Sequence, residues 1–311
     1  MNRLTENKIV LVTQKTRLEE LIYRYNNESQ AKFYIEHRGG DFQDYINEHN
    51  TYKAAVSEAA AFLESYGRLQ VIDRELVPNF IFGERDTVVA VGRDGLVANV
   101  LKYLDIQSLI GVNPDPKRWD GVLLPFSAKD LKLVVPEAVE NKRPINSISI
   151  AKAQLNDGQF LYGVNDLFIG QRTHVSARYE ISLNDKHEPQ SSSGIIVSTG
   201  LGSTGWLKSI LAGARGISSF FGGFDSINLP QSFDRSSDCL YFTVREPYPS
   251  TSTGADIVFG KFDNKSPLTI TSYMPEGGVI FSDGVEEDYL VFNSGSTAKI
   301  CLAEKQGRLV V

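Results

Sequence analysis

The residues best suited to chemistry in this chain sit in a four-residue turn, Gly92, Arg93, Asp94 and Gly95. Before it, Val88, Val89 and Val91 form a β-branched run of the kind found in a parallel strand buried on both faces. After it, Leu96, Val97, Val100, Leu101 and Leu104 fall at helical spacing. A strand therefore feeds a helix through a glycine-bracketed turn. In open α/β sheets ligands bind at the carboxyl ends of strands, and backbone N–H groups at a helix start favour phosphate there. An acid in that turn would sit beside a bound phosphoryl donor. The same residues admit a plainer reading, in which Asp94 caps the helix and the glycines only permit the turn.

Two further clusters carry polar residues where an apolar pattern would otherwise continue. In SSSGIIVSTGLGSTGWLK, from Ser191, an apolar strand runs into Ser198, Thr199, Gly200, Leu201, Gly202, Ser203, Thr204 and Gly205. Glycines let the backbone approach a ligand, hydroxyls supply short donors and acceptors, and a helix starting near Trp206 adds an electropositive end. The alternative is a flexible loop. In YGVNDLFIG, Asn165 and Asp166 interrupt a strand pattern, either as a bulge satisfied by its own backbone or as a ligand contact.

The elements that must position these clusters change character along the chain. Up to about residue 140, strand and helix alternate: Ile9 to Val12, then Leu18 to Tyr25, a longer helix marked by Tyr52 to Tyr66, and strands at Gln70 to Ile72, Val88 to Val91 and Leu109 to Val112. That rhythm predicts βαβ units, a Rossmann-like α/β domain with a mostly parallel sheet. After Pro144, short alternating runs predict an antiparallel, sandwich-like β domain. They are Ile148 to Ala153, Phe160 to Ile169, Ala177 to Leu183, Ile195 to Val197, Leu240 to Val244, Leu268 to Tyr273, Val279 to Phe281, Leu290 to Phe292 and Ala298 to Leu302. The expected domains are 1–140 and 141–311, with a boundary between Pro136 and Pro144 and a C-terminal tail that can return to the first domain. Gly213 to Phe233, rich in glycine and serine, reads as a surface loop.

Composition narrows the classes. The chain has 311 residues, 41% of them hydrophobic, enough for ordinary cores. Its 32 Lys and Arg against 38 Asp and Glu give a net charge of −6, which argues against nucleic acid and anionic membranes as partners. Cys239 and Cys301 are too few and too far apart for a disulfide framework or a zinc site. No apolar run approaches the ~20 residues needed to span a bilayer, and MNRLTEN has neither a signal-peptide core nor an Arg-rich presequence. The chain reads as cytoplasmic, or as a mature protein whose leader is gone. His37, His49, His174 and His187 are scattered and read as surface or loop residues.

Taken together, the three clusters resemble the NAD kinase family. Gly92 to Gly95 is similar to the GGDG turn that NAD kinases share with diacylglycerol and sphingosine kinases. Asn165 and Asp166 resemble the family's Asn followed by Glu, and STGLGSTGW resembles its STPTGSTAY loop. KTRLEELIYRY, IGVNPDPKRWDG, YEISLND, KHEPQSSSG and VREP resemble the mitochondrial type, as do Ser193 and Trp206. The resemblance implies an ATP-dependent NAD kinase that transfers the γ-phosphoryl group to the adenosine ribose 2′-hydroxyl of NAD, giving NADP. The family fold is an N-terminal α/β domain and a C-terminal β domain with the active site between them. By residue, it implies Asp94 as the base, Asn165, Asp166, Thr204, Ser209 and Ser193 as NAD contacts, and Gly92, Arg93, Gly95, Gly200, Gly202 and Ser203 around the ATP phosphates. Magnesium is expected on ATP, with no protein cage, and a homodimer is expected.

Three positions depart from the family pattern: Arg93 replaces its second glycine, Leu96 its threonine, and Leu201 a threonine or serine. If the glycine site needs a left-handed backbone, a side chain there costs on the order of 1 kcal/mol. Alternatively Arg93 turns outward as a fixed cation for phosphates. The altered turn leaves a non-catalytic or redirected NAD- or nucleotide-binding protein as the competing expectation. A lipid or sugar kinase of the wider superfamily is a third, for which no amphipathic membrane segment speaks.

Overall fold

The structure, a computed structural model, describes residues 3–222 and 232–311. It divides into two compact units: Met1–Asn146 with Arg308–Val311, and Ser147–Gly307. The division thus falls just beyond the Pro136 to Pro144 span, and the last four residues are part of the first unit.

In the first unit, β1 (Lys8–Thr13), β2 (Arg68–Asp73), β3 (Thr87–Val91) and β4 (Leu109–Val112) form a parallel sheet in the order β2-β1-β3-β4. At its end Leu309 pairs in parallel with Leu109. Every residue of β3 is buried, the double-sided burial that its valine run predicts. One set of alternate residues, Ile9, Leu11, Val89, Val91, Ile110 and Val112, packs on α3 (Phe42–Tyr66) and α5 (Leu131–Val139) through Ala59, Leu63 and Val135. The other set, Val10, Val12, Val88 and Ala90, is fully buried too. Helix α1 (Arg17–Tyr25) starts in a capping box at Thr16 and Glu19, and α2 (Glu28–His37), which the periodicity did not reveal, closes a small core of Leu18, Ala31 and Phe42. Helix α4 (Asp94–Leu101) follows β3. Because β1 has β2 on one side and β3 on the other, the loops leaving β1 and β3 diverge at a switch point, where open α/β sheets bind ligands.

In the second unit, two sheets share one core. The first contains β5 (Ile145–Leu155), β6 (Phe160–Gly163), β8 (Ala177–Leu183), β9 (Lys186–Ser192), β13 (Leu268–Ser272) and β16 (Thr297–Val310). The second is antiparallel in the order β12-β11-β10-β7-β14-β15, with β7 (Asp166–Gln171), β10 (Ile195–Ser198), β11 (Leu240–Val244), β12 (Phe259–Phe262), β14 (Gly278–Ser282) and β15 (Val285–Val291). Tyr179, Ile181, Ile270 and Ile300 from one sheet meet Leu167, Ile169, Val197 and Phe242 from the other.

Several local expectations change. The run from Phe160 to Ile169 is two strands, interrupted at Val164 and Asn165. Gly213 lies not in a loop but in α6 (Trp206–Phe220), which passes through Gly213 and Gly216. Trp206 and Ile210 seat this helix on Phe168, Ile196 and Val279, and that burial outweighs the ~1 kcal/mol that each interior glycine costs. Within that expected loop, residues 223–231 lie outside the described residues. His37 and His187 are exposed on α2 and β9, as surface residues, whereas His49 is half-buried in α3 with its Nδ1 2.8 Å from the Thr16 hydroxyl.

Candidate functional site

Two sites are built by the three sequence clusters, one in each unit. In the first, β3 delivers the turn to the carboxyl edge of the sheet and Asp94 becomes the first residue of α4. Its Oδ1 accepts the Leu123 N–H at 2.7 Å, which fixes the carboxylate against the loop after β4. Gly92 packs tightly enough that a Cβ would lie 2.7 Å from Leu96 Cδ2, whereas a Cβ on Gly95 would meet nothing within 4 Å. Leu96 is buried, so at this position the family's hydroxyl is exchanged for core packing. Arg93, the N-cap, has φ −108° and ψ 168°. That is ordinary extended backbone, and the strain a left-handed turn would have imposed does not arise.

The Arg93 side chain turns toward α3. Its Nη2 reaches Glu48 Oε1 at 3.3 Å, and its guanidinium carbon lies 4.6 Å from the centre of the Trp119 ring. Asp44 and Glu48, four residues apart on one helix face, collect Arg17 and Arg118 as well. Arg118 forks onto both Asp44 oxygens at 2.9 and 2.6 Å. The two guanidiniums, Arg118 first and Arg17 second, hold the Asp44 carboxyl down at about 2. The Tyr52 hydroxyl donates to Val91 O and accepts from Gln14 N–H, bracing the ends of β1 and β3; burial pushes its pKa up to about 12. A cavity beside the turn is lined by Gln14, Lys15, Thr16, Gly92, Arg93 and Trp119, among others.

In the second unit, the interruption between β6 and β7 is held from a distance. Asp283, in the tight turn between β14 and β15, accepts N–H groups of Val164 (3.0 Å), Asn165 (2.6 Å) and Asp166 (3.3 Å). Sequence reading passed over Asp283, because Asp283-Gly284 between two strands signals only a hairpin turn. Thr199 completes the brace: its hydroxyl donates to Val164 O at 2.6 Å and its N–H to Asn165 O at 2.9 Å. Asp166 is thereby fixed with 9% of its surface exposed, and its Oδ1 is buried with no hydrogen-bond partner. Burial pushes its carboxyl up to about 7; a hydrogen bond from Ser198 opposes the rise and the Asp283 charge adds to it.

A cavity of about 290 Å³ brings together Asn165, Asp166, Gly202 and Thr204, with Trp206 and Phe281. Glycine is required at 202, since a Cβ would lie 2.2 Å from Asn165 O and 2.7 Å from Asp166 Oδ1. Trp206 stacks on Phe168 with ring centres 6.0 Å apart and planes 7° apart, and Phe281 continues the stack. The arrangement offers an aromatic wall and a desolvated acceptor, which suits a planar ring bearing hydroxyl or amino donors. Gly200 and Ser203 face inward instead: Ser203 Oγ donates to Gly200 O, and a Cβ on Gly200 would strike Asp234 O. Ser209 is exposed on α6, and Ser193 lines a neighbouring cavity of about 380 Å³ across the Trp206 stack. Among the described residues no group of three or more His, Cys, Asp or Glu could hold a metal ion.

No protein-family model matches the chain. It is 26% identical over 251 residues to the mitochondrial NAD kinase 2 of Rattus norvegicus, covering 64% of this chain and 59% of that protein. To the Homo sapiens protein of the same name it is 25% identical, covering 64% and 57%. The chain thus spans less than two thirds of the length of these relatives. Its fold matches an NAD kinase from Archaeoglobus fulgidus in complex with ATP (TM-score 0.58, 16% identity, 97% of this chain and 93% of that one). It also matches yeast NADH kinase complexed with NADH (TM-score 0.60, 15% identity, 99% and 84%). The likeness to NAD kinases therefore holds in both sequence and fold.

Proposed function

We propose that this chain is an ATP-dependent NAD kinase. The ribose 2′-oxygen of NAD attacks the γ-phosphorus of ATP, the bond from that phosphorus to the β–γ bridging oxygen breaks, and NADP and ADP leave. Asp94 takes the hydroxyl proton. Asn165 and Asp166 hold adenosine donors, Thr204 lies beside them and Trp206 walls the pocket. Phosphoryl transfer asks a protein mainly for positioning and charge neutralisation, which one oriented carboxylate and a bed of cationic and backbone donors can supply.

The observation that carries this reading is the buried Oδ1 of Asp166. An orphaned acceptor costs roughly 1–3 kcal/mol in a folded protein and calls for a ligand donor. It lies at the position that the resemblance gives to the NAD adenosine. Magnesium, carried on the triphosphate, would offset its charge. A homodimer and a cytoplasmic setting belong to the same proposal; among the described residues no helix is long and apolar enough to cross a membrane. The test is NADP formation from NAD, ATP and magnesium, read with an NADP-specific dehydrogenase. NAD binding without turnover would instead support the non-catalytic reading.

A further inference from the structure

Glu48 entered no sequence reading, yet it anchors the side chain that marks this chain's departure from the GGDG pattern. It is buried on α3, with 9% of its side chain exposed, and its Oε2 is gripped by Nε and Nη2 of Arg17. Arg118 Nη1 lies 3.9 Å away. Arg17 and Arg118 are committed further, through Asp44, and Arg118 also lies 3.6 Å from Asp115. Arg93 has the lightest engagement of the three guanidiniums. It makes one contact with Glu48, at 3.3 Å, and is the most exposed, at 39%.

A guanidinium has five N–H donors in a planar fork, and a single long contact leaves most of that fork able to take an anion. Trp119 covers one face of it and limits its rotamers, so less entropy is lost when the fork binds. Trp119 is itself held: its carbonyl accepts from Asn113 Nδ2 at 2.9 Å and its N–H donates to Asp115 O. Arg93 and Trp119 both line the small cavity at the switch point between β1 and β3, together with Lys15 and Gly92; at about 20 Å³ it has room for a water and not for a phosphate, so an anion would meet Arg93 on its exposed side.

We infer that Arg93 is a phosphate contact for the phosphoryl donor, and that Glu48 and Trp119 are positioning residues that hold its exposed fork at the switch point. Where a glycine would offer a backbone N–H at close range, this chain offers a clamped side-chain cation. The inference rests on the phosphotransfer reading above and adds the device by which the donor's phosphates are recognised.

Calorimetry with ATP and with inorganic tripolyphosphate, beside NADP-forming kinetics, tests it on the full chain. Arg93→Ala is expected to weaken ATP and tripolyphosphate binding and raise the KM for ATP by about tenfold or more, leaving the KM for NAD and the melting temperature in place. Trp119→Leu should act in the same direction by roughly threefold. Glu48→Gln should weaken donor binding in the wild-type background and have no further effect on it in the Arg93→Ala background. Unchanged affinity for both phosphates in a folded Arg93→Ala protein overturns the inference. An equal effect of Glu48→Gln in both backgrounds overturns the positioning role. If the wild type binds phosphates through Arg93 but never forms NADP, the kinase proposal fails and the anion site stands.

Discussion

The two candidate sites solve opposite electrostatic problems. Around Arg93 and Asp94, charges are already paired: three arginines meet Asp44 and Glu48, and Asp94 has a backbone donor from Leu123. Around Asp166, a carboxyl is stripped of water, faces a second carboxyl at Asp283 and keeps one oxygen without a partner. The first site has its acids paired without a ligand, and only Arg93 keeps most of its fork open. The second gains a hydrogen bond only when something enters. Pairing makes the first robust, whereas desolvation makes the second responsive to pH and ligand.

The sharpest way to test this contrast is chemical. Asp94→Asn keeps an oxygen for Leu123 N–H and removes the base, so NADP formation should fall by about 10²- to 10⁴-fold while NAD binding, followed by calorimetry, stays within twofold of wild type as an order-of-magnitude expectation. A variant with unimpaired turnover would leave Asp94 as a helix-start residue only.

Next in size is packing. Gly202→Ala forces a methyl group against Asn165 O and Asp166 Oδ1 and should cost roughly 1–3 kcal/mol by chemical denaturation, with loss of NAD affinity. Gly95→Ala places its methyl in open space and should change stability by less than about 1 kcal/mol. Similar losses at both positions would contradict the tight approach at 202.

The pH dependence follows from Asp166. Its folded pKa, about 7, lies above the ordinary 3.8, so the native state holds the proton more tightly than the unfolded chain. Stability attributable to this group is therefore full below pH ~4 and is lost as pH rises toward 7. Asp166→Asn should flatten that slope in urea titrations. A ligand that donates to the carboxylate favours its charged form, so NAD should bind more tightly as pH rises through 7, and the Asn variant should lose that trend. Parallel curves for both proteins would remove Asp166 from the ligand site.

The smallest effect belongs to the paired site. Asp44 is held down at about 2, so its contribution is present above the ordinary 3.8 and is lost as pH falls toward 2. With 40% of its side chain exposed, solvent screening limits Asp44→Asn to about 1 kcal/mol or less in a melt at pH 7.

Much of this was legible in sequence because it depends on neighbours along the chain. The valine run and the helical spacing after Gly95 set the β3-turn-α4 unit, since burial on both faces demands continuous apolar residues and a helix demands its own period. The order of the three motifs carried the family likeness, and alternating apolar residues after Pro144 carried the second unit's strands. A helix starting near Trp206 was expected, but the continuation of α6 past Gly213 was missed because the glycines and serines there signal a loop locally. What fixes it is the contact of Trp206 and Ile210 with strands whose residues lie up to about seventy positions away in sequence.

The sequence by itself determined which residues could do chemistry: an acid in a strand-to-helix turn, an Asn-Asp pair and a glycine-hydroxyl loop. Only the tertiary structure decided their condition. It placed Arg93 in extended backbone and paired it with Glu48, forty-five residues away, and it set Asp283 beneath a loop 117 to 119 residues earlier. Charge pairing and desolvation depend on distance and burial in space, and no local pattern of residue types encodes either.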